Sequence, residues 1–432
     1  MNLTASQEVG RDVLFGWLHD PYMKKPLIVK GSAGSGKSWF TANIISPLLT
    51  ENVKLLNTIS YCATTNQACD SLYKQGLDAT TIHSYLGIVP YDRKCLFNPV
   101  ELQDAGYKLG RKVPMLAPVT IVIDEAYRLD TNLLKIINFL YPRARLILIG
   151  DPFQTPPVGL THSPIEDIDH VTIRLDETPR FLDGSALSSL VSNYRKAVEF
   201  KEKDYTSYLP TKDTGDVTWT SRLELKEQID KRIKDEDSFD YTKFSIMAGT
   251  NKVVNSYNNY IMKTRASLGK PPITKEDPIT IEASVGYGNY PVSNPVRQTK
   301  RLPYAMTKDS VALETKFLRS LLNKEDIQFV SKLGYVYQCH TNSVILVRSH
   351  TSVEKLSSGQ LTRLWKIASK HSVQFTIVRL GIVKTIHLAQ GITSKEVFLD
   401  VGSIIKWANH DMRRRLLYTG ISRCSERLHL MR

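Results

Sequence analysis

Gly31-Ser32-Ala33-Gly34-Ser35-Gly36-Lys37-Ser38 is an unbroken G-x-x-x-x-G-K-[ST] stretch. Glycines at these places let a backbone wrap closely enough for its N–H groups to cradle phosphate oxygens. The lysine brings positive charge to β and γ phosphates, and the last hydroxyl can ligate Mg²⁺. The flanks agree. Pro26-Leu27-Ile28-Val29-Lys30 is a short apolar run of the kind that forms a buried strand, and Ser38-Trp39-Phe40-Thr41-Ala42-Asn43-Ile44-Ile45 can continue as a helix whose positive N-terminus faces an anion. All eight residues from Gly31 to Ser38 are therefore expected to hold a nucleotide's phosphates, with ATP and Mg²⁺ as the implied substrate and metal.

Outward from this loop, apolar runs alternate with helical patterns: Leu55–Cys62, Val119–Ile123 and Arg145–Ile149 all read as strands. Such alternation predicts an α/β fold with a parallel sheet covered by helices on both faces. One of these strands, Ile121-Val122-Ile123-Asp124-Glu125, ends in two acids. In a phosphate-loop enzyme the first acid holds Mg²⁺ or its water and the second orients and deprotonates the attacking water. Asp124, with Ser38, is thus the predicted metal holder, and Glu125 the predicted catalytic base. Gly150-Asp151-Pro152-Phe153-Gln154 follows the next strand. Side chains at the carboxyl ends of such strands form the active site, which makes Gln154 a candidate γ-phosphate contact.

Across 432 residues, hydrophobic content is 42% and charged content 23%, as in globular proteins with substantial cores. The length suggests several folding units. A net charge of +14 favours a polyanionic partner, nucleic acid first. Five cysteines, Cys62, Cys69, Cys95, Cys339 and Cys424, make no C-x-x-C pair and are odd in number, so neither a zinc ribbon nor a disulfide framework is expected. No leader pattern opens the chain and no apolar run is long enough to span a bilayer, so the expected setting is cytoplasmic, without a membrane partner.

Further short patterns follow in a fixed order, and together they resemble superfamily 1 helicases of the RecD/Dda branch (superfamily 1B). Leu3-Thr4-Ala5-Ser6-Gln7 resembles the adenine-reading glutamine motif, and Ala63-Thr64-Thr65-Asn66-Gln67 resembles motif Ia. Thr80-Thr81-Ile82-His83 resembles the branch's Thr-x-His motif, and Leu175-Asp176-Glu177-Thr178-Pro179-Arg180 is similar to motif IV. Thr385-Ile386-His387-Leu388-Ala389-Gln390-Gly391 resembles motif V, and Leu417-Tyr418-Thr419-Gly420-Ile421-Ser422-Arg423 motif VI. Met247-Ala248-Gly249-Thr250-Asn251 looks like a strand-end Thr-Asn of the same branch.

This resemblance implies an ATP-dependent DNA helicase with two RecA-like domains, moving 5′ to 3′ in replication, recombination or repair. Arg180 and Arg423 would join Lys37, Asp124, Glu125 and Gln154 as catalytic groups, and Gln7 would read the base. Thr64, Thr65, His83, Thr250, Asn251, Thr385 and His387 would contact single-stranded DNA. Residues 1–175 would form the first RecA-like domain, with a pin-like insertion at about 86–117 whose Phe97 stacks on the last base pair. Residues 176–269 and 371–432 would form the second, with a β-rich accessory domain at 270–370. Partners would be single-stranded DNA and its duplex junctions, with a single-strand-binding protein also in view. The compact motif layout resembles phage-encoded helicases, implying a monomer in a host cytoplasm.

Three departures from the family pattern stand out: Tyr127 where a small hydroxyl residue is usual, Leu388 in place of a polar or basic residue, and no Asn-Gly-x-x-Gly-x-Val motif in the accessory segment. The basic triplet Arg413-Arg414-Arg415 reads as a solvated helix face or a nucleic-acid backbone contact. An RNA helicase and an ATP-switched clamp that does not translocate are the alternatives. Glu125 with Arg423 speaks against the clamp, because a switch does not need a complete hydrolytic set.

Overall fold

A computed structural model describes residues 3–20, 22–52, 59–90, 107–109, 120–157, 159–177, 184–235, 239–240, 243–270, 273, 277–285, 299–301, 322–340, 343–348 and 356–432. Two compact units make up the chain. The first gathers Met1–Leu209 with Gln390–Thr393 and Asn409–Ser425; the second gathers Pro210–Ala389 with Ser394–Ala408 and Glu426–Arg432.

In the first unit, β1 (Leu27–Gly31), β2 (Ile59–Ala63) and β3 (Ala79–Thr81) precede a short antiparallel pair, β4 (Ile88–Pro90) and β5 (Tyr107–Leu109). Then come β6 (Thr120–Asp124), β7 (Arg145–Gly150) and β8 (Val171–Leu175). Six of these form one parallel sheet in the order β3-β2-β6-β7-β1-β8. Its strands are apolar on both faces, and successive side chains serve two cores. Val29, Val122, Ile147 and Ile149 pack with Leu14, Trp17, Phe40 and Leu49 on one side. Ile28, Ile121, Ile123 and Leu148 pack with Ile82, Leu133, Ile136 and Ile137 on the other. A sheet sandwiched between helices reads this way in sequence because neither face meets water.

Register levels the carboxyl ends of the strands. Ala63 lies opposite Asp124, and Lys30 lies opposite Gly150. The turns after β1, β2, β6 and β7, which carry the predicted phosphate loop and its acids, therefore leave from one edge. The β4–β5 ladder sits where the insertion is expected; Phe97, between those strands, lies outside the described residues, as does Arg180.

The first unit runs past residue 175. The helix Ala186–Glu199 buries Leu187, Leu190, Val191, Tyr194, Ala197 and Val198, and it packs against the helix His410–Ile421. That packing draws motif VI into the same unit as the phosphate loop.

The second unit contains β9 (Val217–Trp219), β10 (Phe244–Ala248), β11 (Pro278–Val285), β12 (Thr299–Arg301), β13 (Gly334–His340), β14 (Ser343–Arg348), β15 (Gln374–Leu380), β16 (Val383–Thr385), β17 (Ser394–Asp400) and β18 (Cys424–Met431). One five-stranded sheet has the order β16-β10-β17-β18-β9, with β10 parallel to both neighbours and β18 parallel to β9. It supplies the second parallel α/β layer. Another sheet, β12-β11-β15-β14-β13, is mixed, with β14 parallel to β15 and the other pairs antiparallel. Helices Lys324–Leu333 and Ser358–His371 contribute Val330, Leu333, Leu361, Leu364, Ile367 and Ala368 to its core, beside Phe375 and Ile377 of β15. The β-rich segment thus extends beyond residue 370, because β15 pairs with β11 and β14.

Among the described residues no helix is long and apolar enough to cross a membrane, and Cys62, Cys69 and Cys424 are buried free thiols.

Candidate nucleotide-hydrolysis site

The phosphate loop leaves β1 through Gly31, where a Cβ would collide with Ser35 Oγ and crowd Leu175 of β8. Gly34 and Gly36 take left-handed φ values of 89° and 80°, which L side chains rarely adopt. Local bonds close the loop: Ser35 N–H donates to Ser32 O at 3.2 Å and Phe40 N–H to Gly36 O at 2.8 Å. The expected helix begins at Lys37, then widens into a π-turn over Thr41–Ile45 before Ser46–Asn52. Pro47, which has no N–H to donate, lies two residues past that turn.

Lys37 Nζ donates to Gly31 O at 2.9 Å and Ser32 O at 2.8 Å. Burial lowers its pKa, while the charges of Asp151, Glu125 and Asp124 oppose the shift. The hydroxyls of Ser32 and Ser35 are buried and unpartnered. Two free buried donors, two left-handed glycines and an enclosed ammonium suit a polyphosphate, whose oxygens would satisfy those donors.

Asp124 ends β6 buried, and Glu125 N–H donates to its Oδ1 at 2.8 Å. Burial first, then the adjacent Glu125 charge, pushes Asp124 up to about 7. A carboxylate held at such cost, next to Lys37 and the loop, fits a divalent cation shared with phosphate oxygens. Glu125 itself stands at φ 52°, ψ 35°, a left-handed conformation for a residue with a side chain. Gln154 is buried; its Nε2 donates to Asp151 Oδ2 at 3.1 Å, and its Oε1 is unpartnered. Arg423 is buried too, with Nε bonded to Thr419 O at 3.2 Å and an Nη to Ser422 Oγ at 3.1 Å.

These groups converge. A cleft of about 270 Å³ is lined by Gly34, Gly36, Lys37 and Ser38, by Asp124, Glu125 and Gln154, and by Arg423. Trp39, Ala68, Ser71, Gln75, Gly391 and Thr393 complete its wall. Gln7 sits against the loop: a Cβ on Gly36 would lie 3.2 Å from its Nε2. Its Oε1 meanwhile accepts Thr4 N–H at 3.1 Å in a capping box that opens the first helix.

Other candidates occupy strand ends. Thr65 caps the helix Asn66–Tyr73, accepting Ala68 N–H at 3.2 Å. Thr64 Oγ donates to Glu125 O at 3.1 Å. His83 lies in a short helix, Ile82–Tyr85; burial keeps its pKa below the usual value, with Asp130 opposing. In the second unit Thr250 caps the helix Asn251–Ser267, and Asn251 is exposed at its first position. Thr385 is buried at the end of β16, level with Ala248 at the end of β10, and His387 follows in a 3₁₀ turn.

One reading needs correction. Arg414 and Arg415 are not a solvated face. Arg414 donates to Glu202 O at 2.7 Å and Asp411 at 2.9 Å, and Arg415 donates to Pro152 O at 2.8 Å and Gln154 O at 3.0 Å. The partners come from the same helix, from the segment just past Ala186–Glu199 and from the turn after β7, which the triplet alone does not reveal. Also missed was Asp151, whose buried carboxylate accepts from Tyr418 OH at 2.7 Å, Phe153 N–H at 3.1 Å and Gln154. Gln390 Nε2 likewise donates to Thr155 Oγ at 2.6 Å. Their signal was positional: Asp151 stands inside Gly-Asp-x-x-Gln, and Tyr418 and Gln390 stand inside motifs VI and V. Tyr127 has its own accommodation. Its hydroxyl donates to Glu166, which pairs with Lys30 at 2.8 Å, and its ring fills the space left by Gly150.

A family model described as an AAA domain matches residues 19–160, and one described as a UvrD-like helicase C-terminal domain matches residues 380–431. An uncharacterized protein of Acanthamoeba polyphaga mimivirus is 23% identical over 93% of this chain and 94% of its own. The ATP-dependent RecD2 DNA helicase of Deinococcus radiodurans is 30% identical over 31% of this chain, a match spanning only 16% of that protein. In fold, the chain is similar to the crystal structure of Pif1 helicase from Candida albicans, at a TM-score of 0.50 and 16% identity, covering 100% of this chain and 94% of the other.

Proposed function

We propose that this chain belongs with the superfamily 1B helicases and hydrolyses ATP to move along single-stranded DNA and to open the duplex ahead. One observation carries the reading: Lys37, Asp124, Glu125, Gln154 and Arg423 line a single cleft with the phosphate loop. In that cleft Lys37 and the Ser32 and Ser35 hydroxyls would hold phosphate oxygens. Glu125 would take a proton from the water whose oxygen attacks the γ-phosphorus, as the bond to the β–γ bridging oxygen breaks. Arg423 would stabilise charge on the transferred phosphoryl group, and Gln154 would contact it. Asp124 and Ser38 would hold Mg²⁺, which when bound neutralises charge on the β and γ oxygens.

Resemblance supplies the finer proposals. Movement runs 5′ to 3′, Arg180 joins the phosphate contacts, and Gln7 faces the adenine. The layout stays two RecA-like domains and an accessory domain, with the first domain carried past residue 175 and the accessory segment carried through β15. Sequence-neutral contacts from Thr65, His83, Thr250, Asn251, Thr385 and His387 hold the strand, mostly through phosphates. A +14 charge supports such a partner.

Unwinding assays on duplexes carrying only a 5′ or only a 3′ single-stranded tail test the proposal. Unwinding that needs a 5′ tail is expected, and dependence on a 3′ tail would refute the polarity. Lys37→Ala and Glu125→Gln should each nearly abolish DNA-stimulated ATPase, with nucleotide binding weakened only in Lys37→Ala. RNA oligonucleotides of matched sequence should stimulate turnover less than DNA.

A further inference from the structure

We infer that Thr64 is a positioning residue for the catalytic base, its hydroxyl fixing the left-handed turn from which Glu125 works. The inference rests on the reading of Glu125 as that base. Two bonds tie the end of β2 to the end of β6, and a third closes the end of β6 on itself. Thr64 N–H donates to Asp124 O at 3.3 Å, Thr64 Oγ donates to Glu125 O at 3.1 Å, and Glu125 N–H donates to Asp124 Oδ1 at 2.8 Å. The same Glu125 carbonyl also accepts Arg128 N–H at 3.1 Å, closing the 3₁₀ turn Ala126–Arg128.

At φ 52° Glu125 holds a conformation that a residue with a Cβ adopts only when its surroundings impose it. The Thr64 hydroxyl is a side-chain donor on that carbonyl, reaching it from the neighbouring strand. Sequence resemblance casts Thr64 as a strand contact; the geometry turns its hydroxyl inward, onto the residue that must aim at water. Its neighbour Thr65 starts the helix that brings Ala68 and Ser71 to the cleft wall, and a Cβ on Gly391 would lie 3.7 Å from Ala68 N. Thr64 and Thr65 thus connect the turn holding Glu125 to the helix that lines the cleft. Removing the hydroxyl leaves the Glu125 carbonyl held by Arg128 N–H and cuts its side-chain tie to the end of β2, without altering a residue of the phosphate loop.

The test compares Thr64→Val, which keeps shape and loses the donor, with Thr64→Ser, which keeps the donor, in the full chain. ATPase kcat and KM are measured at saturating single-stranded DNA, with DNA affinity by fluorescence anisotropy and melting as a folding control. Thr64→Val should lower kcat about tenfold, with KM for ATP and DNA affinity within threefold of the parent, and Thr64→Ser should restore kcat. An unchanged kcat in Thr64→Val, or an equal loss in Thr64→Ser, overturns the inference. So does weakened DNA binding with kcat intact at saturation, the pattern of a plain strand contact. Glu125→Gln runs in parallel. If it keeps turnover, the assignment of the base falls and takes this inference with it. If it is inactive while Thr64→Val turns over normally, only the positioning role falls.

Discussion

Tyr418→Phe removes a single buried hydroxyl and should disturb both stability and turnover. Tyr418 is fully buried and Asp151 nearly so, and the phenol donates to the carboxylate at 2.7 Å. Burial and the Asp151 charge raise the phenol's pKa well above its ordinary value, so it remains a neutral donor throughout the working range. Hydrogen bonds to charged groups contribute roughly 1.5–3 kcal/mol. Asp151 keeps Phe153 N–H and Gln154 Nε2 at 3.1 Å each, so the loss is partial and the lower half of that range is expected. At roughly 2–4 °C per kcal/mol, melting of the first unit should drop by about 3–9 °C. Since the same carboxylate orients Gln154 and sits near Lys37, kcat for DNA-stimulated ATPase should fall several-fold while KM for ATP holds. Differential scanning calorimetry and steady-state kinetics from pH 6 to 9 provide the measurement, and the difference between variant and parent should be flat across that span. A variant with parental melting and parental kcat would refute the argument. A difference that grows toward pH 9 would refute the assignment of the phenol as a neutral donor.

Gly150→Ala should destabilise the first unit by about 1–3 kcal/mol, because its Cβ would lie 2.7 Å from the Tyr127 ring; the double variant with Tyr127→Ser should be more stable than the sum of the single changes, read from chemical denaturation. Glu396 is bonded to His429 at 3.1 Å and paired with Arg427 and Arg232, which hold its pKa below the ordinary 4.5. Its contribution is therefore present above about pH 4.5 and lost as pH falls through the lowered native value, so Glu396→Gln should differ from the parent at pH 7 and converge with it in acid, in melts across that range. Because burial keeps His83 neutral near pH 7, His83→Gln should change single-strand affinity without changing its slope against log salt; a slope smaller by about 0.7 would mark a charged phosphate contact instead. Phe97→Ala should reduce unwinding per ATP hydrolysed while leaving DNA-stimulated ATPase intact, and equal loss of both in paired assays would assign that ring to packing.

What the sequence disclosed follows from the range of the physics involved. Gly31–Ser38 and Asp124-Glu125 are local: one short strand, one turn and one spacing specify each, so their meeting in one cleft could be expected from a parallel sheet alone. The α/β class was legible for the same reason, since strands such as Ile121–Ile123 carry apolar side chains to both faces. Long-range hydrogen bonds leave no such trace. Tyr418 and Asp151 are 267 residues apart, and no periodicity marks either as the other's partner. The arginine triplet misled because a helix face is polar or buried according to what packs on it, and Ala186–Glu199 lies more than 200 residues upstream of it. By chain order Gln390–Thr393 and Asn409–Ser425 belong with the strands that flank them, yet they group with the phosphate loop. The reason is that their polar side chains find partners in one turn: Gln390 on Thr155, Arg415 on Pro152 and Gln154, Tyr418 on Asp151. Residues 151–155, Gln154 of the cleft among them, are thus joined to the segment carrying Arg423. A change in what fills the cleft would reach the helix His410–Ile421, just ahead of Arg423, through bonds already formed.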